Sequence, residues 1–352
     1  MCTSLAVGHL VGTCCLFKKR ESGERRESET PNIGQRKDLG MVRERRQHHS
    51  FRLLLPLPLP VELPPPSATT SGTAVSLSDL EKLSVIGHGS GSTVYKVLHL
   101  PTSAVLALKV LRRVGHTASR EADTHRRLDS PHIVRCHGIL ASGELSLLLE
   151  YMPGGSLHDV LRRRRRGLRE KTIAVVTRSV LEGLRYLHEI GVVHRDIKPS
   201  NLLVGDKGVV KIADFGAVRR VVDGGSGGGG EEEEGTLAYM SPERLDCEGW
   251  GHGGDGRAGD VWAVGMVTVE CLVGAFPVLG ENWAAFVFKV CGGGSLELPE
   301  EASLEFKSFV RRCLEKDWRR RATVDELLRH PFLSKCSTVA EEELLPEAFL
   351  RI

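Results

Sequence analysis

Beyond Asp79 the apolar residues recur with period 2. Leu83-Ser-Val85, Val94-Tyr-Lys-Val97 and Val105-Leu-Ala-Leu-Lys-Val110 are separated by Gly and Pro punctuation. Side chains at i and i+2 share one face of a strand, so this pattern predicts a small antiparallel sheet. A helical segment is expected around 118–128, and two more strand-like runs at 134–139 and 145–150. After Gly155 the period changes: Ile173, Val176, Val180, Leu184 and Leu187 fall at helical spacing, and Gly191 marks the stop. Further helices are expected at 260–273, 283–290, 304–314 and 324–328. The prediction is an α+β fold in which a sheet-rich lobe precedes a helix-rich one, and no internal repeat interrupts it. Two glycine-dense segments, 224–235 and 249–259, read as mobile loops because glycine loses the most freedom on ordering.

Upstream of Asp79 the pattern fades. Residues 1–50 mix both charges with little periodicity, and Pro56, Pro58, Pro60 and Pro64-Pro65-Pro66 follow. Residues 1–76 therefore read as a disordered or extended arm, 79–332 as the folded domain and 333–352 as a short tail. With 352 residues and 41% hydrophobic content the chain can build a sizeable core. The net charge is only +3, and the basicity sits in the arm, where residues 1–52 hold 11 Lys/Arg against 6 Asp/Glu. A basic tail on a near-neutral globule argues against a nucleic-acid-binding domain.

Nine scattered cysteines without a C-x-x-C pair indicate neither a disulfide framework nor a zinc site, and fit a reducing compartment. The first 17 residues lack a basic start and run into Lys18-Lys19-Arg20, the wrong charge order for a secretory signal. No stretch offers 18 apolar residues, so no membrane partner is expected. The expected location is the cytoplasm, with the nucleus as a second.

The first candidate chemistry is Ile86-Gly87-His88-Gly89-Ser90-Gly91-Ser92-Thr93-Val94, where small residues on a strand turn let backbone N–H groups approach phosphate oxygens. Alone, a glycine cluster is most often an ordinary hairpin. A dinucleotide site would need a helix next, yet Val94-Tyr-Lys-Val97 continues as strand. Lys109 lies inside an apolar strand, where an ammonium is costly unless an anion meets it. Glu121, twelve residues later, is the natural carboxylate. The decisive segment is His194-Arg-Asp196-Ile-Lys198-Pro-Ser-Asn201, followed by Asp214-Phe-Gly216. Metal-assisted phosphoryl transfer needs a carboxylate beside the attacking hydroxyl, oxygen ligands for Mg²⁺ and a cation near the migrating group. Asp196, the pair Asn201 and Asp214, and Lys198 supply these in turn.

These motifs resemble those of the eukaryotic protein kinases over about residues 79–332. The resemblance implies the bilobal protein kinase fold, with an N-lobe antiparallel sheet plus one helix and a mainly helical C-lobe, and it implies ATP and Mg²⁺. It places the 86–94 hairpin over the ATP phosphates, Lys109 on the α/β-phosphates paired to Glu121, and Asp196 as acceptor of the substrate proton. Asn201 and Asp214 would hold Mg²⁺. Glu150 to Met152 looks like the hinge that meets adenine, with Leu149 guarding the pocket behind it. Glu243, in Ser241-Pro-Glu243, would pair with Arg321, and Asp260 would brace the catalytic loop.

Lys198 is the Ser/Thr-type arrangement. Gly235-Thr-Leu-Ala-Tyr-Met-Ser-Pro-Glu243, Ser130-Pro-His-Ile-Val and Met152-Pro-Gly-Gly-Ser-Leu157 are similar to MAP kinase kinases, and the glycine-rich insert and compact tail to their plant branch. Such enzymes phosphorylate Thr and Tyr of a T-x-Y loop in a MAP kinase, and an upstream MAP kinase kinase kinase is the implied activator. Arg43, Arg45, Arg46 and Arg52 precede Leu53-Leu-Leu-Pro-Leu57-Pro-Leu59, which resembles a MAP kinase docking peptide. A solvated proline-rich linker is the competing reading, and the 162–166 arginine run reads as a solvated loop.

Two departures stand out. The family's two activation-loop hydroxyls correspond to Ser226 and to Glu232 within 231–234, where carboxylates could imitate part of a phosphate's charge at Arg195. His125 stands where the family has an apolar residue beneath Phe215, which is expected to loosen the hold of Lys109 on Glu121. The alternative to an active enzyme is a weakly active, pseudokinase-like scaffold that docks a MAP kinase.

Overall fold

The computed structural model describes residues 75–334 apart from 90, 113–115, 222–235, 246–253, 255, 277–289 and 292–295, together with residue 344. Strands β1 (Leu80–Gly89), β2 (Ser92–His99), β3 (Ala104–Leu111), β4 (Cys136–Ser142) and β5 (Glu144–Glu150) form one antiparallel sheet in the order β1-β2-β3-β5-β4. Helix α1 (His116–His125) follows β3. The three period-2 runs are thus strands, but alternation misjudged the burial of the outermost. β1 is an edge strand, and Leu83, Val85 and Ile86 are all exposed. By contrast β3 lies mid-sheet and is buried on both faces from Ala107 onward. Val97, Leu108, Val110 and Leu148 form the core on one side, while Leu111, Ala118, Ala122 and Leu147 join α1 to the other.

The second region is helical. Helix α2 (Leu157–Arg164) is followed by α3 (Glu170–Glu189), α4 (Arg257–Val273), α5 (Leu304–Cys313), α6 (Val324–Leu328) and α7 (Pro331–Ser334). All five residues that defined the 3.6 period of α3 are buried, and the helix stops at Gly191, whose φ of +70° only glycine adopts freely. Short strands β6 (Gly155–Ser156), β7 (Val192–Val193), β8 (Leu202–Val204), β9 (Val210–Ile212) and β10 (Arg219–Arg220) pair as β6-β8-β9 and β7-β10. They hold the loops that carry the polar motifs. One large core, including Leu181, Leu184, Phe215, Phe306 and Phe309, unites this lobe.

The structure corrects three expectations. Arg162 to Arg164 form the last turn of α2 rather than a loop, and Arg165 caps it with φ +53°. Ser156 and Asp159 close a capping box at its start while Leu157, Val160 and Leu161 bury, and basic residues suit a helix C-terminus. The second glycine-dense segment ends earlier than expected: Gly256 caps α4, and Arg257 to Gly259 are its first turn. Cys136, Cys271 and Cys313 are free thiols, but Cys291 is disulfide-bonded, where no disulfide was expected. All but Val75 and Ser76 of the arm expected at 1–76, its docking run at 43–59 and most of the helix expected at 283–290 lie outside the described residues, as does nearly all of the tail.

Candidate active site

The β1–β2 hairpin brings the phosphate candidates together. Gly87 pairs with Val94, His88 with Thr93 and Gly89 with Ser92. Gly91 turns the chain at φ +91°, and a side chain on Gly89 would meet Ser92 Oγ at 2.7 Å. Ser90 lies outside the described residues. In the next register Val94 pairs with Lys109, which sets the lysine one strand inward from the glycines.

The Lys109 ammonium lies 2.7 Å from Glu121 Oε1 and 2.8 Å from Asp214 Oδ1. Burial alone would lower its pKa, but Asp214 and Glu121 outweigh that and hold it above the ordinary lysine value. Glu121 moves up, because its burial exceeds the help from Lys109. Asp214 is also pushed up by burial, yet the charge and hydrogen bond of Lys109 bring it below the usual carboxylate range. One ammonium thus keeps ionised the half-exposed carboxylate of Asp214. The pair expected to be loosened by His125 is formed.

Asp196 stands on the loop between β7 and β8. Its Oδ1 accepts from the Thr236 amide (3.0 Å) and hydroxyl (2.9 Å), and its Oδ2 from Asn201 Nδ2 (2.9 Å) and Lys198 Nζ (2.7 Å). The loop hangs on Asp260, which is 1% exposed. Its Oδ2 accepts from the His194 amide and bonds His188 Nε2, both at 2.9 Å, while Oδ1 accepts from the Arg195 amide at 2.8 Å. Burial would raise the Asp260 pKa, but His188 and these amides hold it below the usual value. That grip keeps Arg195 at φ +68°, and Asp214 sits at φ +65°, conformations that cost a non-glycine residue about 1–2 kcal/mol each. Phe215, fully buried, lies edge-on to His194 on one side and to His125 on the other. Burial, followed by the Lys109 charge, lowers the His125 pKa to about 4, so its imidazole is neutral near pH 7.

The protein kinase domain family matches residues 80–333. Mitogen-activated protein kinase kinase 10 of Arabidopsis thaliana is 46% identical over 307 residues, covering 83% of this chain and 98% of that protein. Mitogen-activated protein kinase kinase 9 of the same plant is 44% identical, covering 84% and 99%. Mitogen-activated protein kinase kinase 1c of Physcomitrium patens is 35% identical, covering 74% and 78%. The chain belongs to the MAP kinase kinase family of protein kinases.

Within this kinase Glu150, Tyr151 and Met152 leave the end of β5 as the expected hinge, with Leu149 half-buried before them. The Glu150 side chain itself is taken: its oxygens accept from Lys211 Nζ (2.8 Å each) and from the Arg135 amide (2.6 Å). Glu243 and Arg321 form the expected ion pair, bidentate at 2.7 and 2.9 Å and almost wholly buried. The two regulatory candidates, Ser226 and Glu232, lie outside the described residues.

Asn201 and Asp214 fit a hard divalent cation. Asn201 donates through Nδ2 to Asp196, which leaves its amide oxygen as a ligand, and Asp214 is held ionised. Among the described residues no group of three or more His, Cys, Asp or Glu could hold a metal ion by itself.

Sequence reasoning missed Thr236. Its hydroxyl accepts from Lys198 Nζ at 2.6 Å while donating to Asp196, tying the carboxylate and the ammonium together. The residue was visible only inside a family motif, because its role depends on the chain folding back over 40 residues. Thr236→Val, which keeps shape and removes the hydroxyl, is expected to lower kcat about ten- to hundredfold at unchanged KM for ATP, and Thr236→Ser to retain most activity. The scale is that of one hydrogen bond to a charged group, about 1.5–3 kcal/mol. Steady-state kinetics of the two variants check it.

Proposed function

We propose that this kinase transfers the γ-phosphoryl group of ATP to both the Thr and the Tyr of a T-x-Y loop in a MAP kinase. The observation that carries the reading is the doubly bound Lys109, which joins the Glu121 helix to the ionised Asp214 while Asp196 waits on a braced loop. Asp196 orients the substrate hydroxyl and accepts its proton, and Lys198 stabilises charge on the migrating group. Lys109 and the glycine hairpin hold the phosphates. Asn201 and Asp214 would hold Mg²⁺, which when bound neutralises charge on the phosphate oxygens. With every one of these groups in reach, the site favours an enzyme over a scaffold that catalyses little.

The partner reading rests on sequence and relatives. Arg43, Arg45, Arg46 and Arg52 suit an acidic patch, and the Leu-Pro alternation from Leu53 to Leu59 suits an apolar groove entered by a stiff chain. An upstream MAP kinase kinase kinase acting near Ser226 completes the cascade.

The test is phosphorylation of a catalytically inactive MAP kinase with Asp196→Ala as control. Both loop residues should be labelled above the control, and deletion of 40–62 should raise KM for the MAP kinase about tenfold with kcat little changed, the pattern of lost uniform binding. No labelling above the control sinks the enzyme reading, and an unchanged KM sinks the docking reading.

A further inference from the structure

Helix α2 begins beside the cleft and ends in charge. It follows the hinge and packs against the turn Pro199–Asn201. Arg162 to Arg164 form its last turn, and Arg165 and Arg166 continue the run. At a rise of about 1.5 Å per residue the run starts roughly 8 Å along the helix from Leu157. A folded protein whose loop occupies the cleft covers that distance easily, since a standard interface takes about 800 Å² of each partner. Arg162, Arg163, Arg165 and Arg166 are all exposed.

The backbone under these side chains is fixed on both sides. The Arg165 amide donates to the Leu161 carbonyl (3.0 Å) and the Leu168 amide to the Cys271 carbonyl (2.7 Å), with Leu161 and Leu168 both buried. Between them Gly167 lies so close to α4 that a side chain there would run into the Leu272 carbonyl. The guanidinium groups are thus presented without a loop having to order first, which lowers the entropic cost of binding. Neutralisation within the domain is slight. Arg162 lies 3.7 Å from Asp159, but both side chains are exposed, and such pairs hold weakly in water. Arg163 donates to the Gly154 carbonyl at 3.2 Å, and Arg165 and Arg166 form no ion pair among the described residues. Glu170, the next acid along the chain, accepts from the amide and hydroxyl of Ser303 instead. A helix C-terminus attracts cations with about half a charge, so the end of α2 does not account for the whole run.

The charge of the rest of the domain narrows the partner. Residues 53–352 hold 37 Lys/Arg and 39 Asp/Glu. An extended polyanion, such as a nucleic acid or a lipid sheet, would meet a slightly acidic surface around the arginines, whereas a compact acidic patch meets the arginines alone. The planar guanidinium also matches a carboxylate with two parallel hydrogen bonds.

We propose that Arg162, Arg163, Arg165 and Arg166 form a second docking surface, which takes an acidic patch of the folded MAP kinase while its T-x-Y loop occupies the cleft. The proposal rests on the substrate reading above. The surface contributes binding and not chemistry, because Asp196, Asn201 and Lys198 hold one another without these arginines.

The test uses the full chain, an inactive MAP kinase and a short T-x-Y loop peptide. Arg162→Glu with Arg166→Glu reverses two exposed charges. One exposed pair contributes up to about fivefold, and reversal adds repulsion, so KM for the MAP kinase should rise about tenfold or more at low salt. The values of kcat, KM for ATP and KM for the peptide should not change. At about 0.5 M salt, where screening acts within roughly 4 Å, most of the difference should vanish. Arg162→Lys with Arg166→Lys keeps the charge and should stay within about threefold of wild type. If the reversed variant does not fold, Arg162→Gln with Arg166→Gln carries the same test with a rise of about three- to fivefold. A KM for the folded MAP kinase within twofold of wild type overturns the proposal, and so does an equal rise for the peptide. Lost affinity for anionic vesicles or RNA at unchanged KM also overturns it and assigns the arginines to another polyanion. Failure of the substrate reading looks different: wild type and Asp196→Ala then label the MAP kinase equally little. Calorimetric affinity for the inactive MAP kinase still reports on the arginines, since tenfold weaker binding of the reversed variant sustains the proposal and equal binding overturns it.

Discussion

Asp196→Ala is expected to lower kcat by about 10²–10⁴, the range that a positioned general base contributes. The loss should fall on kcat and not on KM for ATP, because Asp196 bonds Asn201, Lys198 and Thr236 rather than the glycine hairpin or Lys109. Part of the effect is organisational. The carboxylate is the common acceptor for those three residues, and its removal leaves the Lys198 ammonium held only by the Thr236 hydroxyl among the described contacts. Stability should change little, since the loop hangs on Asp260 and not on Asp196. Single-turnover transfer with saturating ATP measures the chemical step directly. A kcat within threefold of wild type would remove Asp196 from the role of base.

The second large effect concerns stability. Arg321 donates both Nη groups to Glu243 and also bonds the carbonyls of Ala258, Glu315 and Lys316. Arg321→Ala strands a buried carboxylate, which typically costs about 3–5 kcal/mol. In a domain of this size that corresponds to a fall in melting temperature of about 10 °C. Replacing both partners, with Glu243→Met and Arg321→Met, should recover part of the loss, because a buried pair and an apolar pair of like volume are often close in stability. Recovery stays incomplete because three carbonyls lose their donor. Thermal unfolding followed by circular dichroism separates these outcomes, and a shift below about 2 °C for Arg321→Ala would show that the carboxylate is not stranded.

The readable parts of the sequence were those whose determinants are contiguous. Helix α3 announces itself because 20 residues repeat one period and bury one face. The Asp196 and Asp214 segments are legible because phosphoryl transfer needs their residue types within a few positions of each other. Helix α2 was not legible, since Leu157, Val160 and Leu161 are its only apolar anchors before the arginines begin. Strands of two or three residues, such as β6 and β10, hold too few positions to show a period and exist through their partners. The Lys211 contact to Glu150 joins residues 61 apart, and no local pattern encodes it. His125 was recognised as unusual, but its placement against Phe215 and its unpaired nitrogen came only from the packed helix.

The inward face of α1 also bears on how this kinase changes over generations. A histidine codon becomes a leucine codon by a single base change, which at position 125 leaves Lys109, Asp196, Asn201 and Asp214 as they are. The contact between α1 and Phe215 can therefore be rebuilt by natural variation in one step while Lys109, Asp196 and Asp214 stay as they are.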